Sequence, residues 1–233
     1  MIELQGKYNK DNLIDVKELN YELSYIYGFL LADGTLSLDD RNRGKVTAEV
    51  SDRDQDILER IYDIIDGSTL TYRSRQTNYS KGNIYKSCIF RNCNKWFRDF
   101  LVKSGFPTEN KSKTATIPKI PYDKRGFWLG YIDGNGSIGI ASGRPFISIT
   151  TDSDELKLSY CFYLAELTNQ FKVVNRDSRD NIYNIYISGK RAMKVLKELY
   201  EDTTICLNRR YDKYKEIIKL PVYGDYFYSL YKD

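Results

Sequence analysis

The sequence predicts an α+β fold in which one αββαββα unit is written twice. Three observations carry that expectation. First, the chain of 233 residues matches itself at an offset near one hundred: Gly28 with Gly130, Asp33 with Asn135, "VSDRD" (50–54) with "TTDSD" (150–154), and "NIYKSCIF" (83–90) with "NIYNIYIS" (181–188). Second, within each copy the apolar residues change from helical spacing to strict alternation and back. Third, small residues four apart precede each matched Asp or Asn, Gly28 and Ala32 in one copy and Gly130 and Gly134 in the other. Residues at i and i+4 share a helix face, so the two helices could approach almost backbone to backbone.

Taken in order, "ELSYIYGFLLA" is helical and runs into an Asp-Gly turn. "TLSL" and "KVTAEVS" alternate and are rich in β-branched residues, so they are strands. "DRDQDILERIYDII" is a helix with acidic residues at its start, "TLTYRSRQT" and "NIYKSCIF" are strands, and "NKWFRDFLVKSG" closes the unit as a helix. The second copy repeats the order: helix "RGFWLGYID", strands "SIGIA" and "PFISITT", helix "SDELKLSYCFYLAEL", strands "QFKVVNR" and "NIYNIYIS", helix "GKRAMKVLKELYED". A further helix is expected over "RRYDKYKEIIK". "TATIPKIPYDKR" holds two prolines and reads as the connection. The expected division is residues 1–113, a linker over 114–123, and residues 124–233.

Composition narrows the chemistry. The chain contains no histidine, which excludes Ser-His-Asp and Cys-His catalysis, His-ligated zinc and any imidazole general base. Catalysis would have to use carboxylates, lysines or a carboxylate-bound hard cation. The four cysteines lack paired spacing and indicate neither a zinc site nor a disulfide framework. With no apolar run of membrane-spanning length and no signal-peptide pattern, a soluble protein of the cytoplasm (bacterial, phage or archaeal) or an organelle is expected. The net charge of +4 is modest; the 21 tyrosines and the many polar and basic residues inside strands say more. Such strands can present one apolar face to a core and one hydrogen-bonding face to a polar partner.

If the two small-residue stripes pack on each other, the residues at their C-terminal ends, Asp33 and Asn135, converge. Two groups meeting at a two-fold axis could share a divalent cation. The stretches that carry this geometry, "IYGFLLADGTL" (26–36) and "WLGYIDGNGSI" (128–138), resemble the paired motifs of single-chain LAGLIDADG homing endonucleases. The order of helices and strands around each motif matches that family as well.

The resemblance implies two pseudo-symmetric αββαββα units, packed through their motif helices. Each would contribute an antiparallel sheet to a DNA-binding saddle. It implies a monomer, double-stranded DNA with a long asymmetric target as partner, an intron or intein as host, and magnesium-dependent phosphodiester hydrolysis with calcium as a non-catalytic substitute. By position, the metal would sit at Asp33 and Asn135, with Ala32 and Gly134 beside them, and Lys111 and Arg210 would be the basic residues near the scissile phosphates. Arginine stays protonated, so Arg210 is restricted to electrostatic roles. Asn135 departs from the family acid: an amide offers an oxygen but no charge, and magnesium favours anionic oxygens. Asp133, two residues earlier, is expected to serve capping or packing.

Three readings of Asn135 stay open: a one-strand nicking enzyme, a natural non-cleaving DNA-binding derivative, or a deliberate Asp-to-Asn change that traps a complex. Beyond these lie an RNA-binding intron-splicing maturase and a regulator that reuses the fold. The regulator would call for an added helix-turn-helix, for which the two units leave no residues.

The strand residues expected to face DNA are Arg41, Arg43, Lys45, Thr47, Glu49, Arg73, Arg75 and Lys86 in the first unit. In the second they are Arg144, Ser148, Lys172, Arg176 and Asn184. Arg and Lys suit guanine edges or phosphates, Asn suits adenine, and Glu can accept from cytosine.

Overall fold

The computed structural model describes residues 8–13, 15–41, 43–76 and 84–220; the ends of the two expected units, 1–7 and 221–233, and residues 77–83 lie outside them. The first half runs α1 (Lys10–Leu13), α2 (Tyr21–Asp33), β1 (Gly34–Leu38), β2 (Gly44–Ser51), a 3-10 turn (Asp52–Asp54), α3 (Gln55–Ile64), β3 (Ser68–Gln76), β4 (Ile84–Asn92), α4 (Lys95–Lys103) and α5 (Lys111–Thr114). The second runs α6 (Lys124–Asn135), β5 (Gly136–Ala141), β6 (Arg144–Thr151), α7 (Asp154–Thr168), β7 (Tyr183–Ser188), α8 (Lys190–Tyr200) and α9 (Asn208–Ile217).

α2 and α6 form the centre. Every residue from Leu23 to Leu31 and from Gly126 to Asp133 is buried, as expected of helices that are apolar on all sides. Both begin on an Asx cap: the Asn20 side chain accepts from the Leu23 N–H at 3.0 Å, and that of Asp123 from the Gly126 N–H at 2.7 Å. Such caps each contribute about 1 kcal/mol. The two starts are tied together, since the Leu19 N–H donates to the Pro121 carbonyl at 2.8 Å and the Asp123 N–H to the Leu19 carbonyl at 3.1 Å. Between them the backbones touch. A Cβ on Gly28 would lie 2.1 Å from the Phe127 carbonyl oxygen, and one on Gly130 would lie 2.0 Å from that of Tyr25. Hydrogen is the largest substituent these positions admit.

Each helix leads directly into a sheet. The first sheet has strand order β1-β2-β4-β3 and the second β5-β6-β7, all antiparallel. Along β2, Val46, Ala48 and Val50 are buried beneath α3 and α4, while Lys45, Thr47 and Glu49 point to the other face. β6 alternates likewise, with Ile147 and Ile149 in the core.

The second half departs from the expected unit. Residues 170–176 do not form a strand; only Arg176 bridges Tyr183 before the chain turns away. Arg176 explains this locally. Its guanidinium donates to the Asp152 carboxylate at 2.5 Å and to the Asp152 carbonyl at 2.8 Å, and it covers the Tyr183 ring at 4.5 Å. The chain is thereby anchored to the start of α7 and does not extend a ladder along β7.

The halves also hold each other through exchanged contacts. In the segment before α9 and its first turn, the Asn208 N–H donates to Asp56 at 3.1 Å and Arg209 forks onto Asp54 at 2.8 and 3.0 Å, both acceptors lying at the start of α3. In the mirrored contact, the Ser153 hydroxyl at the start of α7 donates to the Ala115 carbonyl at 2.5 Å.

Candidate functional site

α2 and α6 end alike. The Gly34 N–H closes on the Leu30 carbonyl and the Gly136 N–H on that of Ile132, and each chain passes straight into a strand. A cation sits against each terminus: the Lys111 ammonium donates to the Ala32 carbonyl at 3.1 Å and to that of Gly34, while the Arg210 guanidinium donates to the Gly136 carbonyl at 2.6 Å. Positive charge is favoured there because the last carbonyls of a helix carry its negative pole. Lys111 and Arg210, paired by sequence position, are thus paired in space, each beside one motif residue.

Asp33 reaches solvent at the mouth of this region. A Cβ on Gly134 would lie 3.5 Å from its Cβ, so the two helix ends do converge. Desolvation by the surrounding elements raises its pKa; Lys111 and Arg210 pull it back and Asp54 pushes it further up. Lys111 is lowered by burial, with Asp33 opposing the shift.

The second helix end is built differently. The Asn135 amide donates to the Thr150 carbonyl at 3.0 Å and faces the Thr150 hydroxyl at 3.5 Å. Strand register identifies the counterpart of Thr150. Gly34 pairs with Ala48 and Gly136 with Ile149, so Glu49 and Thr150 are the next residues of equivalent strands. One end carries Asp33 with Glu49, the other Asn135 with Thr150. A cleft of about 350 Å³ opens on the acidic side, lined by Asp33, Glu49, Asp54, Arg53, Arg209 and Arg210 among others.

Asp133 lies at the floor of that cleft, shielded from solvent. Its side chain is fully buried and accepts from the hydroxyls of Tyr25 at 2.7 Å and Tyr200 at 2.9 Å, and from the Leu207 N–H at 2.7 Å, with the Arg210 Nε 3.7 Å away. It binds α6 to α2, α8 and the start of α9, and it backs Arg210 where that residue meets Gly136. Leu31 occupies the equivalent place in α2.

These residues fit a hard cation only in part. Asp33 supplies one anionic donor. Asn135 is engaged with Thr150, the Ala32 carbonyl with Lys111, and Gly134 packs on Ala32. Asp54, the next acid in the cleft, is held by Arg209. Among the described residues no cluster of three or more acidic, cysteine or histidine side chains is arranged for a metal. A magnesium-type ion, which keeps several waters and completes its shell with phosphate oxygens, is compatible with Asp33 alone. The Asn135 side does not fit a second.

On the open face of the first sheet, the register aligns Thr47, Glu49 and Ser51 with Arg91, Ile89 and Ser87. It aligns Arg91, Ile89, Ser87 and Tyr85 in turn with Thr69, Thr71, Arg73 and Arg75, while Lys45 continues the face opposite Ser37. Glu49 accepts from Ser87 at 2.7 Å, with Arg75 at 3.7 Å, and Arg75 lies over Tyr85. Arg41 and Arg43 stand exposed in the β1–β2 connection, Arg43 paired with Asp39 at 2.9 Å. In the second sheet Arg144, Ser148 and Asn184 lie on the open face.

Three expectations change. Lys86 pairs with Ser74, which places it on the helix side of the sheet with Tyr72 and Cys88, one residue out of phase with Arg73 and Arg75. Arg176 is committed to Asp152, and Lys172 belongs to no strand. Conversely, Arg91, Tyr85, Phe146 and Tyr186 share the open faces, beyond the residues expected there. Strict alternation from Ser148 places Phe146 and from Asn184 places Tyr186, whereas Arg91 and Tyr85 take their face from the pairing of β4 with β2 and β3.

Two antiparallel sheets carried on a pair of tightly packed helices, with matched cations at the helix ends, define the class: the LAGLIDADG homing endonuclease fold. Residues 123–200 match the family described as a LAGLIDADG-like domain. The homing endonuclease I-WcaI bound to its DNA recognition sequence is 15% identical over 93% of this chain and 95% of that one, with a TM-score of 0.57. The I-LtrWI LAGLIDADG homing endonuclease bound to target DNA is 13% identical over 93% of each chain, with a TM-score of 0.51. Mesophilic variants of the homing endonuclease I-DmoI are 11% identical over 83% of this chain and 96% of theirs, with a TM-score of 0.51. No curated protein sequence matches the chain. No helix among the described residues is long and apolar enough to cross a membrane.

Proposed function

We propose that this chain binds one long, asymmetric duplex DNA site across its two open sheet faces and cleaves no more than one strand of it. The observation that carries this reading is the inequality of the helix ends: Asp33 stands in a cleft with Glu49 and Asp54, under the influence of Lys111 and Arg210, whereas Asn135 is neutral and bonded to Thr150. Asp33 would hold a magnesium ion together with phosphate oxygens; when bound, such an ion activates water and neutralises charge on the attacked phosphate. Lys111 and Arg210, fixed on the helix-end carbonyls, offer positive charge to the phosphates on either side. Lys45, Arg73, Arg75, Arg91 and Arg144 provide the charge and donors for the duplex, and binding should weaken steeply with salt.

Supercoiled plasmid carrying a selected target tests this. With magnesium, open circle and no linear product are expected; Asp33→Asn should abolish nicking, and Asn135→Asp should add linear product. Linear product from the unaltered chain would overturn the reading.

A further inference from the structure

The two open faces differ in chemistry. On the first sheet Lys45, Glu49, Arg73, Arg75 and Arg91 are charged. On the second, the aligned residues are Ser137, Gly139, Ala141, Arg144, Phe146, Ser148, Thr150, Asn184, Tyr186 and Ser188, with Arg144 the one charge among these described strand positions and at its far end.

The second face has an apolar platform in its middle. The rings of Phe146 and Tyr186 stack with centroids 5.5 Å apart and planes at 22°. Tyr186 is 39% exposed. Phe146 lies flat because its cross-strand neighbour is Gly139: a Cβ there would come within 2.9 Å of the ring. The platform is therefore fixed before any partner arrives. Flanking it on the same face are Asn184 and the small hydroxyls of Ser148 and Thr150.

Resting on the duplex-binding reading above, we infer that Phe146, Tyr186 and Asn184 make the half-site under the second sheet A·T-rich, read through thymine methyls and adenine edges. The thymine methyl is the apolar group of the major groove, and a carboxamide matches the paired donor and acceptor of adenine. Guanine calls for Arg or Lys, which the first face has and the centre of the second lacks. The first half-site is accordingly where G·C pairs are specified and where most of the salt dependence arises.

The test is selection of binding sites by the full chain from a random duplex library, with structured RNA as competitor. One asymmetric duplex with an A·T run in one half is expected. Replacing thymidine by deoxyuridine in that run should weaken binding about fourfold for each contacted methyl. Tyr186→Ser should remove that difference while the chain stays fully folded at the temperature of the binding measurement, even where loss of the stacked ring lowers the melting temperature. Arg73→Ala should weaken binding with the methyl effect intact, which assigns the other half to the first sheet. A selected duplex whose second half is G·C-rich, or indifferent to the methyl, overturns this inference and leaves duplex recognition standing. If no duplex is enriched, or RNA displaces it, duplex recognition fails and the inference with it.

Discussion

The Asn135 amide donates to the Thr150 carbonyl at 3.0 Å. A carboxylate cannot donate, so in Asn135→Asp the side chain would face a carbonyl oxygen and turn away from it. The variant should lose about 1 kcal/mol of stability, the worth of one such bond, seen as a lower urea midpoint. It should do so even as it supplies the charge that double-strand cleavage lacks. Unchanged stability would mean the Asn135–Thr150 bond is not formed in solution.

Asp33 should behave in the opposite sense. Desolvation raises its folded-state pKa, so ionising it in the folded chain is unfavourable relative to the unfolded chain. That penalty is absent below the ordinary carboxylate range and complete above the raised value. Asp33→Asn should therefore raise the urea midpoint at neutral pH, with the gain fading as pH falls towards 4. A gain that grew on acidification would show that Lys111 and Arg210 outweigh burial.

Gly130→Ala tests the helix pair. Its Cβ would sit 2.0 Å from the Tyr25 carbonyl oxygen, and that backbone cannot yield without moving α2. A loss of about 3 kcal/mol or more is expected by chemical denaturation. A gain of about 1 kcal/mol, the effect of helix propensity alone when glycine gives way to alanine, would contradict the close approach.

Asp133→Leu copies the first half, where Leu31 stands in the same place. It would orphan the hydroxyls of Tyr25 and Tyr200 and the Leu207 N–H, and leave Arg210 without its buried counter-charge. About 3–5 kcal/mol should be lost. Asp133→Asn, which keeps the shape and one acceptor, should lose less.

Thiol chemistry reads the burial pattern. Cys88, Cys161 and Cys206 are buried, and burial pushes Cys88 up to about 11 and Cys206 to about 12 and raises Cys161. Cys93 is exposed. Near pH 8 a disulfide reagent should titrate one thiol rapidly in the folded chain and the other three only on unfolding.

Much of this was legible in the residues. The duplication, the helix-to-strand passages at Asp33 and Asn135 and the pairing of Lys111 with Arg210 follow from spacing, because chain order and local period survive folding unchanged. The strand expected over 170–176 failed because Arg176 has carboxylate partners, Asp152 and Asp154, that no local pattern reveals. Lys86 failed for a different reason: a strand's period is two, so a single-residue error in phase moves a side chain to the other face.

By itself the sequence determined that two like units exist, that their motif helices carry small-residue stripes, and that one bears an acid where the other bears an amide. Only the tertiary structure decided what surrounds those two residues. It joined Asn135 to Thr150, placed Glu49 and Asp54 in the cleft with Asp33, and buried Asp133 beneath Arg210. These are contacts between residues far apart in the chain, and their energies depend on desolvation and cross-strand register, which exist only once the core has closed.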